Sequence, residues 1–307
     1  MDNILYLRKI RDFGEKLSDS INFIKYNWKN LVVLYLVYVV PFLLVATLLG
    51  ASSFSNFFAR FRGFTGSNGS GTFPTDVFNA SFFLAILLYV LSIASYATSV
   101  YLYIRLYEQH DGRKPTISAI GRLFFPKLLS NLLYAVMVFL MFFVLVFFAI
   151  IPFIGWLIAF IGIIYMMVNF SILFCVNTVE DNSFPTSIYR CFSLLKENWW
   201  ATFGYWIILG MIYYFISSVL SLIINLIFGF SAINFLTPTD ESLFSEKYFL
   251  VTGLSVVVTQ IFYLIVYVGM AVLFYSIKEE KEGSGLEDRL DQLGTQGGLH
   301  GEMEEQY

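Results

Sequence analysis

The chain has 307 residues, 58% of them hydrophobic and only 13% charged, with a mean hydropathy of +0.71 and a formal net charge of −3. Soluble domains carry about 25% charged residues, so the charge here is too sparse to cover a water-soluble core of this length. The small net charge also excludes the global basic field of a nucleic-acid binder. A membrane protein is what remains.

Residues 1–30 read as an amphipathic interfacial segment. Phe13, Leu17, Ile24 and Trp28 recur at helical spacing, and Glu15, Lys16, Asp19, Asn22, Lys25 and Lys29 take the other face. Such a helix can lie in the membrane interface with its apolar stripe in the acyl boundary. The segment starts with charges of both signs and has no uninterrupted apolar core before a small-residue cleavage site, so it does not read as a secretory signal.

The first expected span is Leu31–Leu49, with a kink at Pro41. A loop with the flexible tract Gly66-Ser67-Asn68-Gly69-Ser70-Gly71 follows. The second span is Phe82–Ile104, where Ser92, Ser95 and Ser99 form a stripe. Small polar residues of this kind let membrane helices approach closely, which favours packing over a solute path.

Leu128–Val179 contains no Asp, Glu, Lys, Arg or His and is long enough to cross a bilayer twice. Pro152 and Gly155 divide it into spans Leu128–Ile151 and Phe153–Val179, with almost no loop between them. Its short turn and uniform apolarity suggest the rigid centre of the bundle. The remaining spans are Ala201–Gly229, where Gly204 and Gly210 permit a bend, and Tyr248–Ile277. The charged, Gly-rich tail 278–307 lacks an apolar stripe and reads as disordered.

Sixteen of the nineteen Lys and Arg residues fall on one side of this topology, against Arg60, Arg62 and Lys247 on the other. The positive-inside rule then puts both termini in the cytoplasm. Cys175 and Cys191 fall near that face, where thiols stay reduced, and are expected as buried, unreactive thiols.

The hairpins share a preceding segment. A shift of 171 residues carries Phe13 to Phe184, Leu17 to Ile188, Ile24 to Leu195 and Trp28 to Trp199. It also matches Lys25-Tyr26-Asn27-Trp28 to Lys196-Glu197-Asn198-Trp199. The middle copy has Ile117, Ile120, Phe124 and Leu128. The fold expected is therefore an all-α membrane protein of six transmembrane helices in three parallel hairpin repeats, each preceded by a cytoplasmic-side interfacial amphipathic helix. The inverted repeats usual in rocking transporters are not seen.

The interfacial segments, the Ile151-Pro152-Phe153-Ile154-Gly155 turn, Glu180, Ser187-Ile188-Tyr189-Arg190 and the Lys196-x-Asn198-Trp199 motif resemble a known family. It is the membrane domain of some bacterial glycerophosphoryl diester phosphodiesterases, with its stand-alone, uncharacterised six-span relatives. The resemblance covers roughly residues 10–280 and implies a multi-pass protein of the bacterial cytoplasmic membrane. It supplies no catalytic residues and implies no phosphodiesterase activity, because the catalytic barrel of those proteins is a separate domain.

Chemistry-bearing residues are sparse. Glu108, His110 and Asp111 form a Glu-Gln-His-Asp run, which reads as a solvated loop rather than a metal or acid–base site; clustering of Glu108, His110 and Glu180 around one pocket would point to an enzyme instead. There is no His-Glu-x-x-His, Gly-x-Ser-x-Gly, phosphate-cradling Gly loop or metal-spaced Cys set. The central parts of the spans carry no charge, which argues against ion-coupled transport. Ser95, Asn169 and Gln260 are the candidate intramembrane polar contacts. Lys25, Lys29, Arg122, Lys127, Arg190 and Lys196 form a basic rim and are the candidate contacts to lipid headgroups.

The function expected is a non-enzymatic membrane module that organises lipid or a partner protein at the inner leaflet, with no cofactor. The alternatives are a transporter or channel for a lipid-like or apolar solute and, last, a membrane-embedded enzyme.

Overall fold

The computed structural model describes residues 6–65, 79–110, 112–148, 150–151, 153–228 and 246–283. The expectations for the Gly66–Gly71 tract, for Asp111, for Pro152 and for the tail beyond residue 283 lie outside these residues. Everything described is helix or short connection: α1 (Phe13–Tyr38), α2 (Val40–Thr65), α3 (Ala80–Gln109), α4 (Ile117–Phe148), α5 (Ile154–Phe170), α6 (Leu173–Glu180), α7 (Phe184–Leu195), α8 (Trp199–Ile227), α9 (Glu246–Thr259), a 3-10 turn (Gln260–Tyr263) and α10 (Leu264–Glu282). Six stretches are long and apolar enough to cross a membrane: Val40–Phe58, Ala80–Gln109, Ile117–Phe148, Ile154–Glu180, Trp199–Ile227 and Glu246–Glu282. The protein is an all-helical, multi-pass membrane protein.

Helix starts differ from those expected. Asp12 caps α1 by accepting from the backbone N–H of Glu15 at 2.7 Å. From there α1 runs unbroken to Tyr38, through the boundary placed at residue 30, because no Gly or Pro follows Gly14 of its first turn. The break comes at Val39, two residues before Pro41. Pro has no N–H to donate and crowds the residue before it, so the helix stops there and restarts as α2, and the most apolar window moves to Val40–Phe58. In the same way α4 starts at Ile117 and carries Pro126 inside it. Only the third pre-hairpin segment, α7, is a helix of its own, separated from α8 by residues 196–198. Lys278–Glu282, expected in the tail, extend α10. The long α8 passes through Gly204 and Gly210 without interruption.

The turn between α4 and α5 is as tight as the sequence suggests. Phe153 carries a positive φ of 63°, and a Cβ on Gly155 would fall onto the carbonyl oxygen of Phe148. Only glycine lets the two helices pass so closely.

The hairpin that this turn joins is not the centre of the bundle. In its most apolar window α4 is 11% buried, against 61% for Glu246–Glu282, and α4 and α5 expose Phe139, Phe143, Leu157 and Phe160. The centre is α3 together with α10. Uniform apolarity suits contact with lipid, whereas close helix packing needs small and hydrogen-bonding residues. Those residues are on α3 (Ser92, Ala94, Ser95, Ala97, Thr98, Ser99) and α10 (Gly269, Ala271, Ser276), where all the named side chains on α3 are buried.

Tyrosines hold the centre. The sixth span is interrupted by the 3-10 turn, whose altered ladder leaves carbonyls to be satisfied within the protein. Tyr35 of α1 donates to the Val257 carbonyl at 2.5 Å, and Tyr96 of α3 donates to the Ile261 carbonyl at 2.7 Å. Tyr96 packs edge-on against Tyr267, which also meets Tyr101 and Tyr263. A second buried network ties α3, α4 and α6: the Asn131 amide donates to Thr98 at 2.9 Å and Thr178 at 3.2 Å, and the Asn177 amide donates to Asn131 at 2.7 Å.

Two outcomes are expected from unfolding titrations of the purified protein. Gly155→Ala destabilises by about 2 kcal/mol, since the turn must open to admit a methyl, while Gly210→Ala, which meets no atom within 4 Å, is neutral or gains up to about 1 kcal/mol. Tyr96→Phe loses between about 0.6 and 1.7 kcal/mol, the range for one hydrogen bond between membrane helices.

Candidate functional site

At the end of the bundle where α3, α6 and α10 terminate, charged residues converge on a cavity of about 610 Å³. Helical spacing aims them there. Arg105, Glu108 and Gln109 share one face of the last turns of α3, and Tyr275 and Lys278 share one face of α10. Glu180 closes α6, Thr186 and Arg190 lie one turn apart on α7, and Arg8 reaches in from the N-terminal strap.

The strap, residues 6–12, is fixed to this end of the bundle. Leu7 is buried, and the buried Arg11 guanidinium donates to the carbonyls of Tyr6, Leu7 and Lys9 and pairs with Asp19 at 2.6 Å. The Arg11 backbone N–H donates to the Ser276 hydroxyl at 3.1 Å. Arg8, thus placed, pairs with Glu108 at 2.6 Å.

Glu180 is the hub. Its carboxylate accepts from Arg190 Nε at 3.0 Å, from Lys278 at 2.8 Å and from the Asn182 amide at 3.0 Å. Arg190 also pairs with Glu282, which lies one helical turn beyond Lys278. Asp181, in the left-handed conformation that ends α6, accepts from Arg105 at 2.6 Å and from Lys127. Arg105 further donates to the Thr178 carbonyl at 2.8 Å. Burial alone would raise the Asp181 pKa, but the hydrogen bonds and charges of Lys127 and Arg105 outweigh it and hold the carboxyl below its usual range. Arg190 is held above its ordinary value, because Glu180 and Glu282 outweigh its burial.

Two polar groups at this cavity have no hydrogen-bond partner. One is the hydroxyl of Tyr275, a residue only 2% exposed, and the other is Nε of Arg105.

The residues singled out in the sequence fall into distinct places. Glu108 and Glu180 do share one cavity, whereas His110 is exposed and outside its lining. Among the rim residues, Lys127 and Arg190 turn inward to carboxylates, and Lys25, Lys29, Arg122 and Lys196 are exposed. Ser95, Asn169 and Gln260 are buried and line neither this cavity nor the smaller apolar one between α2, α3 and α9. Asn169 donates to the carbonyl of Tyr165 in its own helix, and Gln260 accepts from Tyr213 of α8 at 3.4 Å. Cys175 and Cys191 are buried free thiols, and burial pushes the Cys191 thiol up. Arg8, Arg105, Tyr275 and Lys278 escaped the sequence reading. The one signal available was opposite charge at helical spacing, in Arg105–Glu108 and Lys278–Glu282.

No family model, curated protein or solved structure matches the chain. Among the described residues no group of three or more His, Cys, Asp or Glu is arranged to hold a metal ion.

Breaking the hub is expected to cost more than breaking its neighbour. Glu180→Gln leaves two half-buried cations short of a partner and loses roughly 3 kcal/mol, whereas Asp181→Asn, half exposed, loses about 1 kcal/mol. The depressed Asp181 pKa adds a pH signature. Its stabilisation is fully present above the unfolded value of about 3.9 and is lost as pH falls through the lower folded value. Unfolding midpoints measured from pH 6 to pH 3 therefore fall less steeply for Asp181→Asn than for the wild type.

Proposed function

We propose that this is a non-enzymatic integral membrane protein of the bacterial cytoplasmic membrane that organises anionic lipid at the inner leaflet. The observation that carries the reading is a division among the cations at the charged end. Lys127 and Arg190 are neutralised by Asp181, Glu180 and Glu282, while Lys25, Lys29, Arg122 and Lys196 are exposed, with no carboxylate partner among the described residues. Each cation near an anionic surface gains about 1 kcal/mol. Exposed Trp28, Tyr189 and Trp200 at the same end suit the headgroup level. In this reading both termini are cytoplasmic, the hairpins form three parallel repeats with amphipathic lead-in segments, and the family resemblance is to the membrane domain alone.

Two observations favour this reading over its alternatives. Ser95, Asn169 and Gln260 are buried and line neither of the two described cavities, which opposes a solute path along them. Glu108 and Glu180 are both engaged by cations, which opposes a free general base.

The test compares lipids retained by wild type and by Lys25→Gln/Lys29→Gln/Arg122→Gln/Lys196→Gln after reconstitution in equimolar phosphatidylglycerol and phosphatidylcholine. The wild type is expected to retain phosphatidylglycerol preferentially, and the quadruple variant to lose that preference. Equal retention of both lipids by the wild type overturns the reading. Orientation is read separately. A cysteine at Ser118, with Cys175 and Cys191 replaced, should react with membrane-impermeant maleimide only after cells are permeabilised.

A further inference from the structure

We infer that the charged cavity is a binding site for a single phosphate-type oxyanion, held between Tyr275 and Arg105 and distinct from the exposed rim. The inference does not depend on the lipid-organising reading. It starts from the two unpartnered groups. An Arg Nε–H can only donate, and a Tyr hydroxyl can donate, so what completes this site must offer acceptor oxygens. Leaving such groups unpaired in a buried setting is costly, and these two belong to residues that line one cavity.

Charge points the same way. The cavity is lined by four cations, Arg8, Arg105, Arg190 and Lys278, and two carboxylates, Glu108 and Glu180. Two of these cations, Arg105 and Arg190, also reach carboxylates beyond the lining, Asp181 and Glu282. The Tyr275 hydroxyl lies within electrostatic reach of Cys175 and Glu108 and of the cations Arg8 and Arg105. Arg105 is already oriented by Asp181 and the Thr178 carbonyl, which fixes its planar fork and leaves Nε–H as the edge still to be used. The carboxylates do not repel an incoming anion as bare charges, because Glu180 is covered by Arg190, Lys278 and Asn182, and Glu108 by Arg8. The volume of about 610 Å³ admits either a free phosphate with its water or the phosphate of a lipid headgroup.

Tyr275→Phe tests the site without endangering the fold, since it removes only a buried hydroxyl that has no partner. Thermal unfolding of the detergent-solubilised full chain is followed in inorganic phosphate, in dihexanoyl phosphatidic acid and in chloride, all at one ionic strength so that screening is equal. In chloride, Tyr275→Phe is expected to match or exceed the wild type. Phosphate or the lipid raises the wild-type midpoint, and the variant needs about 10- to 100-fold more ligand for the same shift. A shift with inorganic phosphate identifies a free anion as sufficient, and a shift with the lipid alone identifies a headgroup. Arg8→Gln, which removes one lining charge from a half-exposed position, is expected to weaken binding about 5-fold. Identical ligand responses in wild type and Tyr275→Phe, or no response of the wild type to either phosphate compound, overturn the inference. Neither result touches the lipid preference of the rim, which the reconstitution reads on its own.

Discussion

In a bilayer no water is present to satisfy a broken helix, so every interruption of a membrane span must be completed by the protein itself. The sixth span is interrupted at Gln260–Tyr263, and the hydroxyls of Tyr35 and Tyr96 complete it. Those two bonds join α1, α3 and the last span, and the other helices pack around that joint. The tyrosines suit the task because one ring fills space among helices while its hydroxyl reaches a carbonyl. Their clustering with Tyr101, Tyr263 and Tyr267 makes the centre of this bundle aromatic and hydrogen-bonded rather than aliphatic.

The same requirement shapes the charged end. Asn131, Asn177, Thr98 and Thr178 form a closed set of buried hydrogen bonds just inside it, and they register α3, α4 and α6 against one another. That register brings Arg105 to Asp181 and Lys127 to both Asp181 and the Asn177 carbonyl. The ion pairs then hold α7 and the end of α10 through Glu180. Along this route Tyr275 and Arg105 each keep one buried polar atom without a hydrogen-bond partner.

The existence of the spans was legible from sequence because charge-free stretches of sufficient length leave little else to be. Helix limits were less so. Pro41 marked an interruption, but the break falls at Val39, and α1 and α4 absorb the segments before them, α4 continuing through Pro126. The ranking of helices was misread at Leu128–Val179. Its lack of charge and its short turn suggested a core, yet in lipid a strongly apolar helix has no reason to leave the surface, and the Ser-, Ala- and Tyr-bearing α3 is the buried one. The cavity was only partly visible. Glu108 and Glu180 were marked, but Arg8, Arg105, Tyr275 and Lys278 belong to four segments whose meeting depends on tertiary packing. Tyr275 in particular looks like any other tyrosine in an apolar run.

The strap has a consequence for biosynthesis. Arg11 bonds to Ser276, 265 positions later, and Arg190 and Glu180 await Glu282 and Lys278 across some ninety residues. The earlier spans can enter the membrane as they are made, but this end cannot close until α10 has been delivered. Until then the strap and the hub carry unmatched charge at the membrane surface. Closure of the ion-pair network therefore reports that α10 is in place, and a chain truncated within that helix would be left open there for the quality-control proteases of the cell.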